Sequence, residues 1–348
     1  MKHLTKTLAV ALVLMTLVTG LGGSAPAQAD GAPEAASQTI TNVSYDPTRE
    51  FYAVYNALFA DHYARETGVA VEVTQSHGGS GSQALAVTQG LPADVVTLAL
   101  ADDITQVERA GLIDPGWEDE LPRDSAPYTS TIVLLTRAGN PKGIHDWGDL
   151  AREGVGVITP NPKTSGGARW NFLAAWAWAE AQFGGDEAQI EAFIKQLYDN
   201  VLVLDAGARG STTSFVENGQ GDVLIAWENE AHLTLKQHPG AYEMVSPSIS
   251  ILCQPAVAVV DEVARSRGSE QVAKAYLEYL YSDEAQRLAA EHFYRPSDEA
   301  ILAEYKDKFD LELTMTTIAH FGGWQAAQER FFVDGGAFDR IYERQAGA

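Results

Sequence analysis

Short apolar runs alternate along this chain with longer segments whose apolar positions recur at helical spacing, the signature of strands that feed helices. Gln38 to Ser44 reads as a strand. Asp46-Pro47-Thr48-Arg49-Glu50 then opens a helix through Glu66, with Asp46 as its N-cap and Pro47 at the first helical position. A strand from Val69 to Gln75 leads through His77-Gly78-Gly79-Ser80-Gly81-Ser82 into a helix with apolar positions Ala84, Leu85 and Val87. Ala93 to Leu100 is almost wholly apolar, as expected of a parallel strand covered on both faces. This repeating strand-turn-helix unit predicts an α/β protein.

The same pattern recurs beyond a Pro-containing linker. Ala126 to Arg137 reads as a strand that crosses to a second lobe, and Val155 to Phe172 as strand, turn and helix start, with two prolines breaking the run and Ser165-Gly166-Gly167 opening a helix to about Gln182. A helix at Gln189 to Leu197, a strand at Val201 to Leu204, the loop Gly207-Ala208-Arg209-Gly210 and a strand at Asp222 to Trp227 follow. Ser248 to Val260 reads as the return crossing, after which helices at Val272 to Tyr281 and Asp283 to Glu291, with the tail to Ala348, are expected to complete the first lobe. Two crossings imply a hinge and a cleft. The expected organisation is residues 30–128 plus 250–348 as lobe I and 129–249 as lobe II.

The first 29 residues form an export signal in this reading. Lys2, His3 and Lys6 supply its positive end, Leu8 to Val18 its apolar stretch, and Ala27-Gln28-Ala29 a small-residue cleavage site before Asp30. Residues 30–38, rich in Ala, Gly, Pro and Ser, are expected to be a loose terminus. No cysteine lies near the cleavage site, so no lipid anchor is expected there, and a free periplasmic protein fits best. Cleavage would leave 348 − 29 = 319 residues, more than one core usually serves. Cys253 is the single cysteine, so an intramolecular disulfide is excluded and the thiol reads as core filler. The signal holds two of the 24 Lys and Arg and none of the 47 Asp and Glu, giving a mature charge of 22 − 47 = −25. Such a charge disfavours nucleic acid and anionic membranes as partners.

Candidate chemistry concentrates where strands end. Ser44-Tyr45-Asp46-Pro47, His77-Gly78-Gly79-Ser80-Gly81, Ser165-Gly166-Gly167 and Gly207-Ala208-Arg209-Gly210-Ser211 each lie just past the carboxyl end of a predicted strand, where open α/β sheets bind ligands. Free N–H groups at such helix starts suit an anion. Any one of these turns alone is ordinary turn chemistry; their recurrence in both lobes points to a site. Lys163 precedes its glycines, and no Gly-x-x-x-x-Gly-Lys pattern occurs, which argues against nucleotide binding. The histidines are dispersed without metal-ligand spacing, so no metal or cofactor is expected. A secreted serine hydrolase using Ser80 or Ser165 with His77 lacks the Gly-x-Ser-x-Gly elbow, and no catalytic residue is assigned.

Asn42 to Glu50, Gln75 to Gly81, Ala93 to Leu100, Asn161 to Trp170, Ile225-Ala226-Trp227-Glu228-Asn229-Glu230, His292-Phe293-Tyr294-Arg295-Pro296 and Phe321-Gly322-Gly323-Trp324 together resemble the periplasmic sulfate-binding proteins. The resemblance spans essentially the whole mature chain. It implies a type II, two-lobed periplasmic binding protein with a hinge and a central ligand cleft, acting as a monomer and delivering its ligand to membrane ABC importer subunits. It implies main-chain N–H ligation at positions matching Asp46, Ser80, Gly166, Gly167 and Ala208, a hydroxyl at Ser165, an indole N–H at Trp227, and Arg209 supporting its loop from behind the ligand. Relatives that bind thiosulfate keep that anion as the alternative ligand. An acceptor-only oxyanion is well matched by donors alone, whereas the proton of hydrogen phosphate would lack a partner at a cost on the order of 1–3 kcal/mol.

Overall fold

The computed structural model of the chain describes residues 37–346; the export signal and cleavage site lie outside the described residues. The strands are β1 (Ser37–Tyr45), β2 (Ala70–Gly78), β3 (Val95–Leu98), β4 (Ile132–Arg137), β5 (Val157–Pro160), β6 (Val201–Asp205), β7 (Val223–Trp227), β8 (Tyr242–Val245) and β9 (Ala256–Val259). The helices used below are α1 (Arg49–Thr67), α2 (Ser80–Thr88), α3 (Ala101–Arg109), α4 (Gly166–Phe183), α5 (Glu187–Asp199), α6 (Ala208–Thr212), α7 (Glu228–Gln237), α8 (Glu270–Tyr279), α9 (Asp283–Glu291) and α10 (Ala337–Ala346).

Two mixed sheets organise these elements. The first has the order β2-β1-β3-β9, with β1, β2 and β3 parallel and β9 antiparallel to β3. The second has the order β6-β5-β7-β4-β8, with β5 parallel to β6 and β7, and β4 antiparallel to β7 and β8. Period-two alternation decides which residue meets which layer. Ile40 and Val95 pack with Phe51, Tyr52, Tyr55 and Phe59 of α1 and with Tyr276 and Leu277 of α8, whereas Val43, Val96 and Leu98 pack with Ala84, Val87, Ile104 and Val107 of α2 and α3. In the second sheet Leu134, Val157, Val223 and Ile225 meet α4 and α5, while Val133, Leu135, Ile158 and Leu224 meet Phe215 and Ala231. Both faces of both sheets are covered, which makes the molecule a two-lobed α/β protein with continuously apolar strands.

The chain passes between the sheets three times, not two. Tyr128–Thr129 leads into β4, Ser250–Ile251 leads towards β9, and Met315–Thr316 carries the chain back again. These segments lie side by side: Ser130 and Cys253 exchange backbone bonds of 3.0 and 2.9 Å, and the Leu252 amide donates to the Thr316 carbonyl at 2.8 Å. Cys253 is fully buried within this ribbon, and burial pushes its thiol well above the usual range, so it is core filler.

The third passage changes the place of the tail. Beyond Ile318 the tail packs on α4 and α5 instead of on the first sheet, as the sequence had suggested. Phe331 lies 4.8 Å from the Trp176 ring centroid, Phe332 and Phe338 pack on Phe172, and Trp324 meets Trp170 edge-on at 4.6 Å. The cause is legible in α4 itself. Residues Gly166 to Ala179 are all buried, Arg169 and Asn171 being the only polar side chains among them, so this helix must be covered around its whole circumference, and the sheet covers one side only. Phe331→Ala should therefore destabilise the protein by about 3–5 kcal/mol, measured as the shift in urea-unfolding free energy; a cost below about 1 kcal/mol would show that the tail is a loose cover.

Candidate functional site

The four turns singled out from sequence line one small cavity. Tyr45, Asp46 and Pro47 follow β1; Gly78, Gly79 and Ser80 end β2 and start α2; Ser165 and Gly167 start α4; and Ala208 starts α6. The space among them is small, with about 10 Å³ open to the centre of a water-sized sphere. Of the predicted site residues, Asp46, Ser80, Ser165, Gly167 and Ala208 border it directly. Trp227, at the end of β7, lies in an adjoining recess that shares Ala208, and its indole N–H points towards the Gly167 carbonyl at 3.5 Å. Gly166 opens α4 beside them.

Each turn presents donors for a local reason. Ser165 is the N-cap of α4: its Oγ accepts from the Ala168 amide at 3.3 Å, which leaves the hydroxyl proton free to donate. The first-turn amides of Gly166, Gly167 and Ala208 have no intrahelical acceptor. Ser80 is different. Its hydroxyl donates to Asp103 Oδ2 at 2.5 Å and accepts from the Ala99 amide at 3.0 Å, so only its backbone N–H remains available. Neither serine has a histidine partner among the described residues, so the geometry for a base-activated nucleophile is missing.

Asp46 departs from the expected N-cap. A single 3-10 turn, Asp46–Thr48, separates β1 from α1, and the side chain does not cap α1. Its carboxylate instead receives the backbone N–H of Arg209 and lies 3.6 Å from Arg49. Burial raises its pKa, and the two arginines offset this only in part. Proline at the second position, with no N–H to donate, forces the tight turn and places the Asp46 amide beside the cavity.

Glycines permit the halves to meet. A Cβ on Gly79 would lie 2.6 and 2.8 Å from the carbonyl oxygens of Thr164 and Ala206, and one on Gly207 would overlap the Asp46 carboxylate. A Cβ on Gly167 would sit 3.0 Å from the Trp227 indole nitrogen, whereas one on Gly166 would press on Leu100 at 2.7 Å and Ala99 at 3.0 Å. Gly166 therefore keeps the facing lobe close, while Gly167 keeps the indole N–H clear.

Among the described residues, Arg169 and Arg209, the arginines that bridge the halves beside the cavity, are both ion-paired. Arg209 forks onto Glu50 at 2.9 and 2.8 Å and also meets Glu230 at 3.3 Å. Burial acts to raise Glu50, yet the hydrogen bond and charge of Arg209 outweigh it and hold its carboxyl below the usual range. Arg169, which sequence reasoning left without a role, spans the lobes to Asp102 at 3.3 Å and Asp103 at 3.4 Å and donates to the Pro162 carbonyl. The signal for it was present: an arginine in the first turn of a largely apolar helix, and Asp102-Asp103 opening α3. His77 is held neutral, its pKa pushed down to about 4, first by burial and then by the charge of Arg49. Among the described residues no group of His, Cys, Asp or Glu could hold a metal ion, and no helix is long and apolar enough to cross a membrane.

Residues 48–295 match the family model described as "Bacterial extracellular solute-binding protein". The chain is 54% identical over 306 residues to the "Sulfate-binding protein" of Escherichia coli (strain K12), covering 88% of this chain and 93% of that one. It is 44% identical over 314 residues to the "Thiosulfate-binding protein" of Pseudomonas aeruginosa, covering 90% and 94%. Among solved structures, the sulfate-binding protein SubI from Mycobacterium tuberculosis H37Rv superposes with a TM-score of 0.76 at 34% identity, covering 85% of this chain and 99% of that one.

Two outcomes are expected from the site. Gly167→Ala should lower anion affinity about tenfold by crowding the indole donor, read by calorimetry at an unchanged unfolding midpoint; unaltered affinity would remove that donor from the site. Separately, the unfolded chain binds a proton near pH 6.5 that folded His77 refuses until about pH 4. Stability of the ligand-free protein should therefore fall across that window as pH drops. His77→Gln should flatten the fall, and an identical pH profile in the variant would refute the assignment.

Proposed function

The chain belongs to the bacterial extracellular solute-binding proteins, in the branch whose members bind sulfate or thiosulfate, and on that premise we propose that it captures sulfate between its lobes and hands it to a membrane ABC importer. It carries out no reaction. The observation that supports this most directly is the convergence of four helix-starting turns from two sheets on one cavity whose available groups are donors. In this reading the backbone N–H groups of Asp46, Ser80, Gly166, Gly167 and Ala208, the Ser165 hydroxyl and the Trp227 indole hold the anion, and Arg209 braces the Ala208 turn. Sulfate has no proton near neutral pH and needs only donors. Charge-assisted hydrogen bonds to it are roughly twice as strong as neutral ones, and helix starts add on the order of 0.3–1 kcal/mol each.

Residues 1–29 serve as the export signal, and the mature monomer works in the periplasm. Lobe I comprises the mature chain up to 128 and from 250 to about 317, lobe II comprises 129–249, and the segment after Ile318 is a C-terminal cover seated on lobe II. Thiosulfate is the second reading, favoured by the 44% identity to a protein named for that anion.

The test is competition calorimetry of the purified protein with sulfate, thiosulfate, hydrogen phosphate and molybdate. Sulfate should bind in one-to-one ratio and hydrogen phosphate should fail to compete; tighter thiosulfate binding would reverse the ligand order. Trp227→Phe should weaken sulfate about tenfold with the fold intact, and an unchanged affinity would sink the indole contact. Because the donors are dipoles and both bridging arginines are paired, raising inert monovalent salt from 0.05 to 0.5 M, a range chosen to cross a Debye length of about 10 Å, should change affinity by about twofold or less. A steep decline would favour a basic surface site.

A further inference from the structure

Lys163 stands two residues before Ser165, yet it does not border the cavity. Its ammonium is taken up by the C-terminal segment: it donates to the carbonyls of Phe332 at 3.0 Å and Val333 at 3.3 Å, and to the carboxylates of Asp339 at 2.8 Å and Asp334 at 3.4 Å. Asp339 in turn accepts the Gly335 amide at 2.9 Å, which closes the end of the segment on itself. Arg169 holds the neighbouring Pro162 carbonyl and lies 5.7 Å from the Phe332 ring centroid. Lys163 thus ties the turn to residues some 170 positions away in sequence.

Within the turn little can shift. The Ser165 and Thr164 amides donate to the Asn161 carbonyl at 2.9 and 3.1 Å, and the Lys163 amide donates to Asn161 Oδ1 at 2.9 Å. The Asn161 amide and the Thr164 hydroxyl then tie the turn to the Asp205 and Ala206 carbonyls, both at 2.8 Å, just ahead of Ala208. A displacement of Lys163 would therefore move two of the four anion turns together. Two carboxylates and two carbonyls satisfy the ammonium, so it adds little attraction for an anion, and what it supplies is position.

We infer that Lys163 is a positioning residue of the anion site: by clamping the C-terminal segment to the Asn161–Ser165 turn it aims the Ser165 hydroxyl and the Gly166 and Gly167 amides. The inference rests on the sulfate reading of the same cavity. Lys163→Met and Asp339→Asn should each weaken sulfate about three- to tenfold, chiefly through faster dissociation followed by tryptophan fluorescence. The double variant should be no weaker than the poorer single variant, because both remove one clamp. Lys163→Arg should recover most of the affinity, and Lys195→Met, at an exposed helical ion pair, should leave it unchanged. Asp339→Asn keeps the test open if Lys163→Met fails to fold. Affinities within twofold of the parent in folded Lys163→Met or Asp339→Asn would overturn the inference, as would additive losses in the double variant. Absence of sulfate binding by the parent protein would instead overturn the functional reading.

Discussion

A main-chain donor cannot reach. A lysine side chain can bridge several ångströms to an anion, but a backbone N–H acts only where the backbone itself arrives within hydrogen-bond distance. A cage built from the turns after β1 and β2, and from the starts of α4 and α6, therefore requires two separate sheets to bring their carboxyl edges almost into contact. The near-zero clearances at Gly79, Gly166 and Gly207 follow from that requirement. So does the proline in the turn after β1, which compresses the approach to α1 and leaves one amide beside the cavity.

The same requirement governs the charges. With a net charge of −23, the chain opposes any incoming anion at long range, and a cluster of free cations in the cleft would be the obvious remedy. The structure takes another course, pairing Arg169 with Asp102 and Asp103 and Arg209 with Glu50 and Glu230. Three of these pairs, Arg169 with Asp102 and with Asp103 and Arg209 with Glu50, join elements of opposite halves, so their attraction is spent on bringing the lobes together. On the proposed reading the anion is left to oriented dipoles in a small space, where low dielectric strengthens each hydrogen bond. An unpaired arginine in that space would have to be desolvated when the cleft is empty, at a cost of several kcal/mol.

Much of this was legible in the sequence because the strands read as short apolar runs and the turns carry glycine and proline at the positions their geometry demands. β5, α4 and α9 lie where the pattern placed them, and Ser165 caps as a serine before two glycines should. What was misread shares one cause: local signals do not report on long-range partners. Asp46 looks like a cap because aspartate before proline is the usual helix opening, but its carboxylate answers to Arg209, 163 residues further on, whose position no local pattern reveals. Ser80 is read for its backbone N–H alone, and the partner that takes up its hydroxyl, Asp103, is likewise one no local pattern reveals. The tail was assigned to the first lobe by chain order, although α4, apolar through Ala179 but for Arg169 and Asn171, already demanded a second cover.

The third passage between the lobes bears on how such a cage can open and re-form. Three extended segments, joined by backbone hydrogen bonds from Ser130 to Cys253 and from Leu252 to Thr316, make a ribbon. Sliding one segment past the next would break those bonds, whereas bending the ribbon keeps them, so rotation is the cheaper motion. Rotation also preserves the internal geometry of every turn. The Asn161–Ser165 turn travels with lobe II and its C-terminal cover, and Gly79 travels with β2, each as a unit. Hydrogen bonds weaken steeply as their angles fall below about 120°. A cage of several such bonds can re-form reproducibly only if its parts are stiff and their one relative freedom is the rotation that separates them.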